Sequence, residues 1–343
     1  MIIVDELKNR ALILNSRPNG FPDESSFKLI EFDIPEINIG EFIVKILWLS
    51  VDPYMRGRMS DKKSYAPSVE IGDVMVGGAV GKIISSRNLD FEVGDLVEGR
   101  FGWQEYAISN GSNARKLSIN ESDSSKALGV LGMPGLTAYF GLFYLGRPIP
   151  NQTVVISAAS GAVGAVVGQL AKMTGCKVVG IVGSESKASY ITEELNFDFA
   201  INYKKEDVCN KLLELCPNGI DIYFDNVGGQ ILEAVLENLA FRARIVVCGQ
   251  IAQYNLHNDE VAYGITNFRN ILTNQATVEG FIVNRFSSDF PQAFTYLEKL
   301  FVEGNLKSKE DIVLELENTP DALLRVLTGK NFGKQIVKIA LER

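Results

Sequence analysis

The stretch Thr153-Val154-Val155-Ile156-Ser157-Ala158-Ala159-Ser160-Gly161-Ala162-Val163-Gly164-Ala165-Val166-Val167-Gly168 decides how the rest of the chain is read. Thr153–Ser157 is a short, unbroken apolar run, the pattern of a strand buried on both faces. A helical run to Met173 follows, and between them the residues fit G-x-G-x-x-G with Ala159 in the first glycine slot. Such a turn lets backbone N–H groups at a helix N-terminus approach a pyrophosphate, where the helix dipole also favours an anion. Gly161 leaves room for the phosphate, and Gly164 and Gly168 are expected to let the helix lie close on the strand. A second apolar run, Lys177–Val182, arrives at the distance a βαβ unit requires. The expectation is a dinucleotide turn with Gly161, Ala162, Val163 and Gly164 as cofactor contacts.

Downstream the alternation continues. Strand signals occur at Phe199–Asn202, Ile220–Asp225 and residues 244–247, with helical stretches at 187–195, 207–216 and 230–239. Four or five βα units with nearly continuous apolar strands predict a parallel, doubly wound α/β sheet. Upstream the texture differs: short alternating runs at 42–49, 79–84 and 95–97 are separated by turns such as Glu92-Val93-Gly94-Asp95, which predicts a β-rich, barrel-like domain. The tail carries a helix around 290–303 and a last strand near 334–340 that returns to the first domain. At 343 residues two domains are expected. Their bounds are 1–125 with 305–343 for the β-rich domain, and 126–304 for the nucleotide-binding domain.

The formal net charge of −8 argues against nucleic acid as a partner, because a phosphate backbone would be repelled. The basic pairs Lys62-Lys63 and Lys204-Lys205 sit beside acids and read as solvated surface. Asp5, Glu6, Lys8 and Arg10 interrupt any signal-peptide run, and every apolar stretch breaks before the roughly 18 residues a membrane helix needs. A cytoplasmic location without membrane contact is the expectation. The four cysteines, Cys176, Cys209, Cys216 and Cys248, form no CxxC and are expected as buried free thiols.

Chemistry-bearing residues gather at the expected strand ends. The second strand closes on Ile181-Val182-Gly183-Ser184, where NAD-binding folds usually place an acid for the ribose hydroxyls. Gly183 and Ser184 leave that space open, Lys187 lies within reach of a 2′-phosphate, and Tyr203 can add a phenol hydrogen bond. Glu185 lies past the strand tip and is expected to point outward. NADP(H) rather than NAD is therefore the expected cofactor. Asn226 in Asp225-Asn226-Val227-Gly228-Gly229, then Cys248 and Gly249, then Phe281, Ile282 and Val283, come after successive strands and converge on one crevice. Asn331, in Gly329-Lys330-Asn331-Phe332-Gly333, is a loop asparagine expected to reach the same cofactor.

What is missing narrows the chemistry further. The single histidine, His257, lies in a polar stretch read as plain surface, and no cysteine precedes Cys176, so the ligand set of a zinc alcohol dehydrogenase is lacking. No metal site is expected. None of the 11 tyrosines has a lysine four residues later, which removes the Tyr-x-x-x-Lys route to carbonyl reduction.

With these residues in view, Gly132-Met133-Pro134-Gly135-Leu136-Thr137-Ala138-Tyr139 followed by AASGAVG resembles the medium-chain dehydrogenase/reductase superfamily. Asp52-Pro53-Tyr54-Met55-Arg56-Gly57, the DNVGG run at Asp225, and Gln253-Tyr254-Asn255 resemble its zinc-independent leukotriene/prostaglandin reductases and plant double-bond reductases. The runs SRPNG, LSVDPYMRGRMSD and VMVGGAVG are most similar to a bacterial curcumin-reductase branch. Where zinc relatives carry a ligand cysteine and Gly-His-Glu, this chain has Ser50-Val51-Asp52 and Ile71-Gly72-Asp73. The resemblance implies a GroES-like β-rich domain beside a Rossmann domain, and a homodimer. It also implies reduction by NADPH of the carbon–carbon double bond of α,β-unsaturated aldehydes and ketones. Cofactor contacts carry over onto Gly161 to Gly164, Lys187, Tyr203, Asn226, Cys248 to Tyr254, Phe281 to Val283 and Asn331. The 191–197 stretch is one residue longer than in animal relatives.

Hydride addition to the β-carbon of an enone leaves negative charge on the carbonyl oxygen, which needs a donor. Tyr254 is the candidate, with a ribose hydroxyl or water able to share the task. Tyr54, Met55, Phe101 and Trp103 are the candidate substrate-pocket residues. Rival readings are a metal-free quinone reductase on the same cofactor site, a catalytically silent NADPH-binding protein, and, more distantly, a methyltransferase-like use of the glycine loop.

Overall fold

The structure is a computed structural model and describes residues 7–339, so Asp5, Glu6 and Ala340 lie outside the described residues. The chain divides into two compact units, Met1–Leu128 with Glu310–Arg343, and Gly129–Lys309.

The first unit opens with β1 (Lys8–Leu14), β2 (Phe27–Asp33) and β3 (Phe42–Ser50), a short helix α1 (Tyr54–Arg58), then β4 (Ala79–Ser86), β5 (Leu96–Gly99), β6 (Tyr106–Ser109) and β7 (Ala114–Lys116). The second unit runs α2 (Met133–Phe140), β8 (Thr153–Ser157), α3 (Gly164–Met173), β9 (Lys177–Val182), α4 (Glu185–Ser189), β10 (Phe199–Asn202), α5 (Val208–Leu215) and β11 (Ile220–Asp225). It continues with α6 (Gly229–Leu236), β12 (Leu239–Val247), α7 (Arg269–Thr273), β13 (Thr277–Gly280) and α8 (Phe290–Val302). The chain then re-enters the first unit with β14 (Glu310–Leu314), α9 (Thr319–Leu327) and β15 (Lys334–Lys338).

In the first unit β1 and β2 form an antiparallel pair, and a seven-stranded sheet runs β14-β15-β3-β4-β5-β7 with β6 also on β3. β3 accommodates three partners because β6 pairs with its first half, Phe42 to Lys45, and β15 with its last residues, Trp48 to Ser50, while β4 runs along most of its length with register shifts at Ile43/Val44 and Ile46/Trp48. The second unit is a six-stranded parallel sheet in the order β10-β9-β8-β11-β12-β13. Its strand order reverses between β8 and β11, as in a Rossmann fold. Val155, Val179, Ile201, Leu212, Tyr223 and Val235 pack in one core on a face of this sheet.

Two close approaches explain glycines in the deciding stretch. A side chain on Gly164 would begin 2.6 Å from the Ala158 carbonyl oxygen, so α3 starts directly against the loop it leaves. Gly168 serves a different contact from the one expected. A side chain there would begin 1.8 Å from the Phe197 ring, which also lies 3.0 Å from the equivalent point on Gly180 of β9. Phe197, buried just before β10, is thus wedged between helix and sheet, and the glycine clears space for a phenyl ring rather than for the strand.

The helix expected at 187–195 starts earlier, at Glu185, where Ser184 caps it by accepting the Lys187 N–H. It ends in a π-helical turn, Tyr190–Glu194, closed by Leu195 N–H donating to the Tyr190 carbonyl at 3.2 Å. A π turn absorbs one extra residue without shifting the strand beyond it. β12 begins at Leu239, five residues before the expected start, and β13 was not anticipated as a strand. Its Thr277-Val278-Glu279-Gly280 sequence is mostly exposed at the sheet edge and carries no apolar alternation. All four cysteines are free: Cys176 and Cys216 are buried, but Cys209 and Cys248 are only half-buried. Among the described residues no single helix is long and apolar enough to cross a membrane.

Candidate cofactor and active site

Parallel register brings the strand ends of the second unit into one row. Ser157 pairs with Ile181, Val182 with Asn202, and Asp225 with Val247, which in turn pairs with Gly280. The crevice outside such ends, at the reversal of strand order, is where open α/β sheets hold ligands. The β8–α3 loop turns through Ala158, whose φ is +49°, and closes with Gly161 N–H donating to the Ala158 carbonyl at 2.9 Å. No side chain caps the N-terminus of α3, while Gly161, Ala162 and Val163 remain half-exposed. Backbone donors at an uncapped N-terminus are suited to an anion.

At the next two tips, Tyr203 is 43% exposed and its hydroxyl lies 3.1 Å from where a side chain on Gly183 would begin. Lys187 is half-buried on α4. Glu185 is exposed, as expected, but it is tied sideways: its Oε1 accepts a 2.6 Å hydrogen bond from Asn202 Nδ2 and lies 3.2 Å from Lys205 Nζ. The Asn202 bond, with Lys205 behind it, holds this carboxyl below its ordinary range.

The loops after β11 and β12 are bonded to each other. Cys248 N–H and Gly249 N–H both donate to the Asp225 carbonyl, at 2.8 and 3.0 Å, and Ala252 N–H donates to the Val227 carbonyl at 3.1 Å. Tyr254 is half-buried, and its hydroxyl accepts from Gln250 N–H at 3.4 Å. A side chain on Gly249 would begin 3.3 Å from both the Tyr254 hydroxyl and the Asn226 carbonyl oxygen. Asn226, Cys248, Gly249 and Tyr254 are therefore one cluster. Asn226 also braces the row, donating from Nδ2 to the Ser157 carbonyl at 2.8 Å. Burial, with Asp225 nearby, pushes the Cys248 thiol up to about 12, so this cysteine offers a small neutral side chain and backbone groups.

Sequence reasoning named Asp225 without giving it a task. Its side chain anchors the cluster: Oδ1 accepts from Tyr223 hydroxyl at 2.9 Å, Ser157 hydroxyl at 3.3 Å, Val227 N–H at 3.0 Å and Gly228 N–H at 2.8 Å. Oδ2 is buried without a partner, and burial raises the carboxyl against the pull of those N–H groups. The available signal was an acid closing the apolar run Ile222-Tyr223-Phe224. Phe281 differs from its neighbours. Its backbone N–H continues the β13 ladder to the Val247 carbonyl at 3.4 Å, but its ring is buried near Phe224 and Phe286. Ile282 is 41% exposed and Val283 buried beside it.

The remaining candidates lie in the first unit. Met55 and Trp103 are both 0% exposed. The expectation that they line a substrate pocket is corrected: Trp103 stacks on Phe27 inside the core, and Met55 Sδ accepts from Asp52 N–H at 3.5 Å. Tyr54 is half-buried, and burial beside Asp52 raises its phenol well above the ordinary range. Phe101, 6% exposed, lines a polar cavity of about 390 Å³ with Arg100 and Gln104. Asn331 donates from Nδ2 to the Gly333 carbonyl at 2.9 Å, within the loop before β15. Around Tyr54 the backbone is clasped. Arg56 Nε donates to the Gly20 carbonyl at 3.1 Å and Arg17 to the Met59 carbonyl at 3.1 Å, so the SRPNG and PYMRGRM runs hold one another. Lys334 Nζ, buried, contacts Asp52 Oδ1 and the Val51 and Gln335 carbonyls at 2.9–3.0 Å, and Ser50 hydroxyl donates to Asp52 Oδ2.

Among the described residues no group of three or more His, Cys, Asp or Glu is placed to hold a metal ion. A family model described as the N-terminal domain of oxidoreductase matches residues 10–117, and one described as zinc-binding dehydrogenase matches 162–299. The chain is 41% identical over 338 residues to an NADPH-dependent curcumin reductase of Escherichia coli, covering 97% of both. It is 40% identical to a NADP(+)-dependent 2-alkenal reductase of Nicotiana tabacum, over 99% of this chain and 100% of the relative. The crystal structure of CurA in complex with NADPH from Vibrio vulnificus matches with a TM-score of 0.92 at 42% identity, covering 97% of this chain and 100% of that one. Identity at this level across the full span, on a sheet with this order, places the chain in the medium-chain dehydrogenase/reductase family, among its zinc-independent reductases.

Proposed function

We propose that the chain uses NADPH to reduce the carbon–carbon double bond of α,β-unsaturated aldehydes and ketones. The residues suit that cofactor: an uncapped α3 N-terminus for its pyrophosphate, and Lys187 and Tyr203 beside a strand that ends on uncharged Gly183 and Ser184 for its 2′-phosphate. Asn226, Cys248, Gly249 and the backbone from Phe281 to Val283 form the cradle for its nicotinamide half, and Asn331 is a further proposed contact. When bound, NADPH supplies the hydride.

The chain's own residues handle the charge that results. The observation carrying this reading is the Tyr254 hydroxyl, held against the Gly249–Gln250 backbone at the row of strand ends. There it donates to the carbonyl oxygen of the substrate as enolate charge develops, a donor whose contribution grows toward the transition state. A phenol of ordinary pKa about 10 is a weak acid in water but an adequate one toward an enolate. Tyr54, with Phe101, faces the apolar part of the substrate. We further infer a homodimer, supported by the outer strand β13 and by exposed Val278, Phe268 and Leu272, and testable by sedimentation equilibrium.

The test is NADPH oxidation against enals, enones and quinones. Turnover of enals and enones, with product saturated at the former double bond, is the expected result. Turnover of quinones alone overturns the proposal in favour of a quinone reductase, and none with any acceptor points to a silent binding protein.

A further inference from the structure

Glu185 is the acid just past the tip of β9, the region where NAD-binding folds use a carboxylate to accept both ribose hydroxyls. A carboxylate free at that place would favour NADH and repel a 2′-phosphate. Glu185 is not free. Asn202, at the end of β10 and only 3% exposed, has its own geometry fixed: its N–H donates to Glu206 Oε2 at 2.8 Å, and its Oδ1 accepts from Lys204 N–H at 3.3 Å. Nδ2 is thereby aimed at Glu185 Oε1, at 2.6 Å. Lys205 Nζ meets the same oxygen at 3.2 Å, but both of those side chains are about two-thirds exposed. An exposed ion pair holds little. The buried amide carries the restraint, and the lysine adds charge neutralisation. Between them in sequence stands Tyr203, whose hydroxyl covers Gly183. One four-residue tip thus restrains the acid and presents a phenol beside the second strand.

We propose that Asn202, assisted by Lys205, determines cofactor choice by holding Glu185 away from the adenosine ribose, so that an acid placed where it could select NAD is kept out of play. Asn202 is then a positioning residue and Glu185 a latent NAD determinant. The inference rests on the NADPH reading above, and its test separates the two.

The experiment is calorimetric titration of the full-length chain with 2′,5′-ADP and with 5′-AMP, fragments that differ at the ribose 2′-phosphate and need no turnover. Wild type is expected to prefer 2′,5′-ADP. Asn202→Ala should lower that preference about ten-fold, the effect of releasing one charge-assisted hydrogen bond, with tighter 5′-AMP binding as part of the change. Adding Glu185→Gln should restore it. Should Asn202→Ala fail to fold, Asn202→Asp keeps the side chain's size and its acceptor for Lys204 N–H while driving Glu185 off by like charge, and Glu185→Gln should restore that variant too. A preference unchanged by either first substitution, or a loss that Glu185→Gln does not reverse, overturns the proposal. A wild-type chain indifferent to the 2′-phosphate overturns the cofactor reading and this inference together.

Discussion

Removing one oxygen atom tests the assignment of Tyr254. Tyr254→Phe keeps the ring against Gly249 and loses only the hydroxyl that accepts from Gln250 N–H. If that hydroxyl serves the developing enolate, kcat falls while NADPH affinity barely moves, because the interaction strengthens only in the transition state. Loss of one such donor typically costs about 10²-fold or more. A ribose hydroxyl or water can substitute in part, so the expected loss is on the order of ten- to a hundred-fold. Single-turnover hydride transfer at the wild-type rate would show that Tyr254 only covers the site. Residues of this kind were legible because polarity at a strand end is unusual in a sequence of buried strands. Asn226, Cys248 and Gly249 were picked from their places after successive strands and Tyr254 through the Gln253-Tyr254-Asn255 resemblance, and the four form one cluster. Met55 and Trp103 were misread because an apolar side chain beside a polar motif looks the same whether it faces a ligand or a core. Asp225 was quoted but given no role, since nothing in a sequence announces that four donors will converge on one carboxylate oxygen.

Elements that are buried on both faces were the readable ones. β8, β9 and β11 lie where their apolar runs placed them, because a parallel strand between helices has no polar alternation to blur its ends, and β10, at the other edge, was still placed by its apolar Phe199, Ala200 and Ile201. β13 and the first half of β12 were missed for the converse reason: edge or exposed positions do not select apolar residues. Contacts between elements were less visible still. Gly168 was assigned to helix–strand packing, and its clearance is for Phe197. Gly168→Ala is accordingly expected to destabilise the chain by about 1–3 kcal/mol in thermal unfolding, the range for an overpacked core. Phe197→Leu in the same chain should return part of that loss, and a single variant as stable as wild type would remove the wedge. In the first unit, β15 is locked to the loop after β3 by Lys334 and Asp52, both under 9% exposed at the side chain. Burial pushes the Lys334 ammonium below its ordinary range, against the pull of Asp52. Taking away one partner strands the other charge, so Lys334→Met should cost about 3–5 kcal/mol. Asp52→Asn with Lys334→Met should recover most of it, because a buried pair replaced by neutral groups is often close to neutral. Equal losses in the single and double variants would show that the lysine's packing, not its charge, is what β15 depends on.

At the scale of the whole molecule, the two units divide the proposed work unevenly. Gly129–Lys309 contains the six-stranded parallel sheet, the core around Val155, Val179 and Tyr223, and every proposed cofactor contact except Asn331. It also contains Tyr254. Tyr54 and Phe101, the retained pocket candidates, belong to the other unit. A fragment of residues 129–309 has the size of an ordinary domain and its own core around Val155, Val179 and Tyr223. Its free energy of NADPH binding should come from the α3 N-terminus, the β9 and β10 tips and the loops after β11, β12 and β13. Expressed by itself, the fragment is expected to melt cooperatively and to bind NADPH within about ten-fold of the full chain, a difference of about 1.4 kcal/mol. It should nevertheless fail to oxidise NADPH with any enone, since the proposed donor would act on a substrate that nothing holds. Binding weakened a thousand-fold in a fragment that still melts cooperatively would mean that Asn331 or its surroundings supply a main share of affinity, and that the cofactor site is not the property of the parallel sheet alone. Enone turnover by the fragment would be the more damaging result. It would remove Tyr54 and Phe101 from the reaction and leave the whole chemistry to the row of strand ends.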